Sequence, residues 1–344
     1  VSAPVTESIA RSRTARLRRR RVVITALTVL IAVVFGIALM AGRTFYPLGD
    51  VLAVVLGQDV PGASFTVGRL RLPRAVLAVL AGASFGVGGV AFQTMLRNPL
   101  ASPDIIGIST GSGTAAAFAI IVLGLGGAAV SVFAIVGGLA IALLIYLLSY
   151  RGGVVGTRLI LIGIGIAAMM KSITSYVLTQ GTDWDLQEAS RWLTGSLNGS
   201  TWTETLPVLL ALAVLGPVLL GASRDLGATR LGDDTAAALG VRVARTRLLV
   251  IVAAVGLVAF ASAACGPIAF VAFLAGPIAA RVVGPHGSLL VPSALVGAAL
   301  VLVADLLGQY AFGTRFPVGV VTGALGAPFL IYLIVRTNRA GGSL

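Results

Sequence analysis

The sequence predicts an all-α integral membrane protein of about ten transmembrane helices with both termini cytoplasmic. Three observations carry that expectation. Of the 344 residues, 57% are apolar and 11% charged, and the mean hydropathy is +1.02, whereas a soluble domain carries roughly a quarter charged residues. There is too little charge to cover the outside against water, so the outside faces lipid. Next, ten apolar stretches approach the about 20 residues that a helix needs to cross a hydrocarbon core of about 30 Å. Finally, arginine supplies 24 of the 25 cations, and it is unevenly shared between alternate loops.

The ten stretches are 22–42, 75–95, 106–124, 128–149, 159–178, 206–222, 248–264, 268–284, 289–307 and 317–335. The first holds no charge between Val22 and Gly42. It is longer than the about 7–15 residues of a signal-peptide core, so it reads as a retained span. The second contains Gly82-Ala83-Ser84-Phe85-Gly86-Val87-Gly88-Gly89, which marks a tightly packed helix face, because close van der Waals fit drives helix association in lipid. The third and eighth stretches are short or interrupted by glycine and proline. Interruptions at Asn98-Pro99-Leu100-Ala101-Ser102-Pro103, Cys265-Gly266-Pro267 and Ala275-Gly276-Pro277 are tolerated at membrane depth only when buried or lining a watery cavity. Singly each reads as a turn between helices; together they suggest a transport path.

An even number of spans puts both termini on one side. With the N-terminus inside, 18 arginines fall in inner segments and 6 in outer ones, with Lys171 inside the fifth span. Such an excess belongs on the cytoplasmic side. The expected organisation is a cytoplasmic Arg-rich tail (1–21), one ten-span membrane domain (22–335) and a cytoplasmic C-terminal tail (336–344).

Several classes of function fall away. A net charge of +13 suits a nucleic-acid binder, but seven of the arginines crowd into Arg11 to Arg21, directly before an apolar run. No basic stripe interleaved with aromatics is present to stack bases, so no nucleic-acid partner is expected. Cys265 is alone, which rules out an internal disulfide. Ser109 in Gly107-Ile108-Ser109-Thr110 superficially resembles an intramembrane protease nucleophile. That chemistry needs a base within reach, and the only histidine, His286, sits in a Gly-Pro-His-Gly turn. Around the only lysine, Gly165 to Ser172 lacks the second glycine of a phosphate loop and lies in an apolar helix. Any ATP-driven work must therefore come from another chain. The twelve acidic residues are scattered and no two form a metal pair within a span, so neither metal nor cofactor is expected.

Two ions lie within spans. Burying Lys171 at mid-span costs about 2.5–3.5 kcal/mol, and the outer helix end is about 12 Å away, too far for easy snorkelling. Asp305 lies near the outer end of the ninth span. Either each pairs with polar neighbours or with the other, or Lys171 faces a pore and attracts an anionic cargo. An ion-coupled secondary carrier usually places carboxylates near the midplane, and Asp305 alone, near a helix end, is a poor candidate.

A series of motifs then lies in one order along the chain. It begins with Arg69-Leu70-Arg71-Leu72-Pro73-Arg74, Gln93-Thr94-Met95-Leu96-Arg97-Asn98-Pro99-Leu100-Ala101-Ser102-Pro103 and Gly107-Ile108-Ser109-Thr110-Gly111. It continues through Arg191-Trp192-Leu193-Thr194-Gly195-Ser196, Ala237-Ala238-Leu239-Gly240-Val241 and Cys265-Gly266-Pro267-Ile268-Ala269-Phe270. Phe316-Pro317-Val318-Gly319-Val320-Val321-Thr322-Gly323 and Gly326-Ala327-Pro328-Phe329 close it. In this order, on a ten-span chain, the sequence resembles the FecCD family, the permease subunits of type II ABC importers for iron–siderophores, haem and cobalamin.

The resemblance implies the type II ABC importer permease architecture: two permease subunits, alike or paralogous, around a central path. Cytoplasmic ABC ATPase subunits drive it and an external substrate-binding protein delivers cargo. A ferric siderophore is the leading cargo, with haem or cobalamin as alternatives. In loop 223–247, the stretch Asp233, Asp234, Ala237, Leu239, Gly240 reads as a short helix with acidic residues at its start, and in the family this loop couples to the ATPase. Arg71 and Arg74, with Arg69 beside them, match positions that meet carboxylates of the binding protein. A further outer arginine is replaced here by Gln309, for which Arg315 is the substitute the sequence offers. Asn98 and Leu100 match a cytoplasmic gate, and Gly156-Thr157 a second constriction. Where family members often read Val-Pro-His-Ile-Ala-Arg, this chain has Gly276-Pro277-Ile278-Ala279-Ala280-Arg281, so no role for that histidine carries over.

Overall fold

A computed structural model describes residues 3–103, 107–150, 156–284 and 287–339. Fourteen α-helices carry the described chain, in the order α1 (Ala3–Met40), α2 (Leu48–Val55), α3 (Leu72–Met95), α4 (Ile108–Ile121), α5 (Ala128–Ser149), α6 (Gly156–Leu178), α7 (Asp183–Thr194), α8 (Trp202–Gly221), α9 (Ser223–Ala228), α10 (Asp233–Ala238), α11 (Val243–Cys265), α12 (Val271–Val283), α13 (Leu290–Tyr310) and α14 (Val318–Arg339). All ten predicted spans coincide with apolar helices. Seven lie in apolar helical stretches of 20–32 residues, long enough to cross a bilayer, with that of α1 counted from Ser12 and that of α3 from the π-helical turn at Ser64, while α4, α12 and the apolar part of α14 are shorter. At 14 residues α4 reaches only about 21 Å, short of a hydrocarbon core of about 30 Å. The Arg-rich segment assigned to a tail forms the first turns of α1 from Ala3 onward.

Four short helices, α2, α7, α9 and α10, lie outside the predicted spans. α2 follows Pro47. α7 is set by a capping box, in which the Asp185 carboxylate accepts from the Thr182 backbone N–H at 3.1 Å and the Thr182 hydroxyl accepts from the Asp185 N–H. Such a box satisfies two otherwise orphaned donors at a helix start.

The core is built around α3, which packs against α13, α11, α12 and α8 and is buried along most of its length. Its glycines make this possible. A Cβ on Gly82, Gly86 or Gly89 would stand 2.4 Å from the Gly297 carbonyl oxygen, 2.1 Å from that of Ser293 and 1.8 Å from that of Ala272. Backbone thus meets backbone on two neighbouring helices, as the glycine-rich stretch predicted. By contrast α1, α5, α6 and α8 leave most of their surface exposed.

Pro277 lies inside α12, so Ala275-Gly276-Pro277 does not break the helix as the sequence reading expected. A proline lacks the N–H that would bond the carbonyl four residues earlier, here that of Phe273. Gln93 from α3 supplies the missing donor, its Nε2 donating to the Phe273 carbonyl at 2.9 Å. Gly276 leaves room for the same amide, since a Cβ there would fall 2.0 Å from Gln93 Oε1.

The charges separate to two ends. At one end, the Arg19 guanidinium donates to the carbonyls of Val282 (3.0 Å) and Arg281 (2.9 Å), covering the C-terminus of α12, and Arg20 donates to that of Ser288 at 2.7 Å. Cations at a helix C-terminus satisfy orphan carbonyls and complement the dipole. Arg97 and the 223–247 loop lie at this same end. At the other end stand Arg71, Arg74, Arg191 and the α13–α14 turn that carries Arg315. His286 and Arg151 lie outside the described residues.

Candidate translocation path and coupling surface

A cavity of about 780 Å³ opens between α4, α6, α12 and α14. Lys171, Thr174 and Ser175 of α6 line it, and with Leu178 they recur at the three- and four-residue spacing of a single helix face. Ser109 and Thr110 of α4 and Thr194 at the end of α7 add hydroxyls. The wall is fixed from behind. The hydroxyls of Thr114 and Thr174 share a hydrogen bond at 2.8 Å and lie 3.1 and 3.0 Å from the Met170 carbonyl oxygen, which accepts the remaining proton and ties α4 to α6.

The far wall is a junction of three of the sequence motifs. Ser196 N–H donates to the Cys265 carbonyl at 2.7 Å, and Gly319 N–H donates to the Gly195 carbonyl at 3.1 Å. A Cβ on Gly266 would stand 2.2 Å from the Trp192 carbonyl oxygen, and one on Gly319 1.8 Å from that of Thr194. Gly195 and Gly266 also take φ of +77° and +70°, a region that glycine adopts without the Cβ clash. The Trp-Leu-Thr-Gly-Ser, Cys-Gly-Pro and Phe-Pro-Val-Gly motifs therefore record one close approach of backbone.

The residues matched to gates are distributed more widely. Asn98 forms an Asx turn in which its Oδ1 accepts from Leu100 N–H at 2.8 Å, and it lines a separate cavity of about 310 Å³ with Gln93, Arg97 and Arg230. Leu100 packs with Phe273, Leu274 and Leu333 in a small apolar cluster. Gly156 opens α6 and Thr157 is exposed in its first turn, away from the residues lining the large cavity. Of the gate and path residues foreseen, Lys171 is the one among the described lining residues of the large cavity.

In the 223–247 loop, α10 is the short helix expected, between Gly232 (φ +108°) and Gly240 (φ +85°). Ala236 is buried, while Asp234, Ala237, Leu239 and Gly240 face outward, Leu239 with 64% of its surface exposed. Asp233 anchors the helix to the body. Its carboxylate pairs with Arg97 and accepts two bonds from Arg247 Nη2, at 2.9 and 2.7 Å, and Arg97 also donates to the Thr229 carbonyl at 2.7 Å.

At the opposite end, the arginines matched to docking divide into two groups. The Arg74 guanidinium is committed within the chain: Nε and Nη2 donate to the two oxygens of Asp305 at 2.9 and 2.7 Å, and Nη1 to Asn198 Oδ1 at 2.5 Å. Gln309 Nε2 adds a bond to Asp305 at 2.7 Å. Thus Asp305 pairs with Arg74 and not with Lys171. Arg71 donates to the carbonyls of Leu39, Met40 and Thr44 at 2.7–2.9 Å and lies over the Tyr46 ring. Arg69 and Arg315 are exposed. Sequence reasoning overlooked Gln93, Asn198 and Arg247; proline at 277 was the one available signal, since it demands a donor from elsewhere.

The FecCD transport family model matches residues 29–336. The chain is 40% identical over 326 residues to the ferric enterobactin transport system permease protein FepG of Escherichia coli (strain K12), covering 93% of this chain and 98% of that one. It is 33% identical over 336 residues to the probable siderophore transport system permease protein YfhA of Bacillus subtilis (strain 168), covering 95% and 98%. Among solved structures, an inward-facing ABC transporter assigned to the metal-chelate type superposes with a TM-score of 0.82 at 29% identity, over 91% of this chain and 98% of its own.

Proposed function

The chain belongs to the FecCD transport family, and from that premise we propose that it forms the membrane path by which an ATP-driven importer takes up a ferric siderophore. It is an ABC importer permease and not itself the ATPase; such a system includes a separate ATPase and a binding protein. One observation carries the cargo assignment, the end-to-end similarity to a permease named for ferric enterobactin. The cavity suits it. Among its described lining residues there is no carboxylate, imidazole or thiol, so the wall is suited to iron that arrives already wrapped in its chelate.

In this reading the end that carries Arg19, Arg97 and α10 is cytoplasmic, which agrees with the arginine excess of the sequence. The opposite end receives the binding protein, with Arg69 and Arg315 as exposed contacts and Arg71 and Arg74 behind them. Rim charges of this kind chiefly set encounter rate and orientation. A second permease, a copy of this chain or a paralogue, completes the path. ATP-driven motion enters at α10 and, passed through Asp233 to Arg97 at the end of α3, alternates access to the cavity past Asn98, Leu100, Gly156 and Thr157.

Uptake of radiolabelled ferric siderophore by iron-starved cells, with and without the gene, tests the cargo, with labelled cobalamin as control. Loss of the iron signal alone is expected; loss of cobalamin alone overturns it. Coupling is tested at Asp233. Asp233→Ala frees α10 from Arg97 and Arg247, and uptake per ATP hydrolysed is expected to fall several-fold while hydrolysis continues. A parallel fall of uptake and hydrolysis would count against transmission through this residue.

A further inference from the structure

We infer that the cavity selects its cargo by the sign of its charge, admitting ferric chelates of net negative charge through Lys171 and a surrounding set of hydroxyls. The inference rests on the ferric-siderophore reading above and assigns the chemical class within it. Lys171 is exposed to the cavity, with Thr174 and Ser175 on the same face of α6. Ser109, Thr110 and Thr194 supply hydroxyls from two other elements. Among the described lining residues no acidic side chain accompanies the lysine, and it is the one charged group.

A cation at membrane depth is costly unless its surroundings are wet or hold an anion, and low-dielectric walls strengthen its field toward whatever enters. The hydroxyls are polar but uncharged, those of Thr174, Ser175 and Thr194 already engaged with the carbonyls of Met170, Lys171 and Ser190, and they do not distinguish cargo by sign. The lysine alone among these groups discriminates by sign. Anionic catecholate or carboxylate chelates are attracted, and chelates bearing a free ammonium are repelled. The rest of the wall, including Ile268, Phe270 and Phe273, is apolar and provides contact without preference for charge.

The test uses the complete importer in membrane vesicles, with its binding protein in excess, and three radiolabelled ferric chelates: a trianionic tris-catecholate, an uncharged trihydroxamate, and a trihydroxamate carrying one ammonium group. For the wild type, the expected order of uptake is anionic, neutral, cationic. Lys171→Met is expected to reduce uptake of the anionic chelate about tenfold, the lower range of electrostatic focusing effects, while changing that of the neutral chelate less than twofold. Lys171→Arg should retain the preference, and Lys171→Glu should reverse it. Because the binding protein is the same throughout, a shift in preference belongs to the permease. An equal loss for all three chelates in Lys171→Met, or no loss for any, overturns the inference and leaves the siderophore reading standing. If the wild-type importer moves none of the ferric chelates, the cargo assignment fails and this inference with it.

Discussion

Replacing Gly89 with leucine should leave no detectable folded permease in the membrane. The Cβ alone would stand 1.8 Å from the Ala272 carbonyl oxygen and 2.6 Å from its carbon, and these are backbone atoms of α12 with no rotamer to yield. Overpacking that side chains can absorb costs about 1–3 kcal/mol. Here whole helices must part, which breaks the packing of α3 against α12 and, through Gly86 and Gly82, against α13. The matched control is Gly165 on α6, where no described atom lies within 4 Å of an added Cβ. Gly165→Leu should accumulate to wild-type levels with an unchanged or higher melting temperature in detergent, helped by a gain in helix propensity. Equal behaviour of the two variants would remove the close-approach account of the glycines.

The second large effect is expected at Arg74 and Asp305. The pair bridges α3 and α13 with side-chain exposures of 18% and 6%, and it is completed by Asn198 and Gln309. Removing one partner of such a buried pair strands a charge and costs about 3–5 kcal/mol, whereas apolar replacement of both is often close to neutral. Asp305→Leu should therefore lower the melting temperature strongly, and the double variant Arg74→Met with Asp305→Leu should recover most of the loss, the signature of coupled neighbours. Additive losses would show that Arg74 is stabilised by something other than Asp305. The same double variant bears on docking. If the binding protein needs Arg74, uptake stays low despite restored stability.

The ten apolar stretches were legible because lipid imposes a constraint that composition alone can reveal: each span must be long and apolar, and its flanking charges must segregate. Clusters of glycine showed that helices approach closely. The order of the motifs revealed the family. Which backbone each glycine meets was not legible, since Gly195, Gly266 and Gly319 are far apart in sequence and come together only when α7, the α11–α12 link and α14 pack. Pairing was equally hidden. The sequence left Asp305 with polar neighbours or Lys171 as partners, and the packing of α3 beside α13 decides for Arg74 across 231 residues of chain.

The membrane class, the apolar stretches, the absence of a phosphate loop from this sequence and the family each follow from residue type, spacing or order. Which of those residues share a site depends on how the helices pack. That packing set Lys171 in a cavity among hydroxyls, turned Arg74 inward onto Asp305, supplied Gln93 to the carbonyl that Pro277 leaves unbonded, and held α10 to the body through Asp233. The reason is physical. Hydropathy is a property of each segment against its solvent, while a hydrogen bond or an ion pair is a property of two segments, and its geometry does not exist until they are packed.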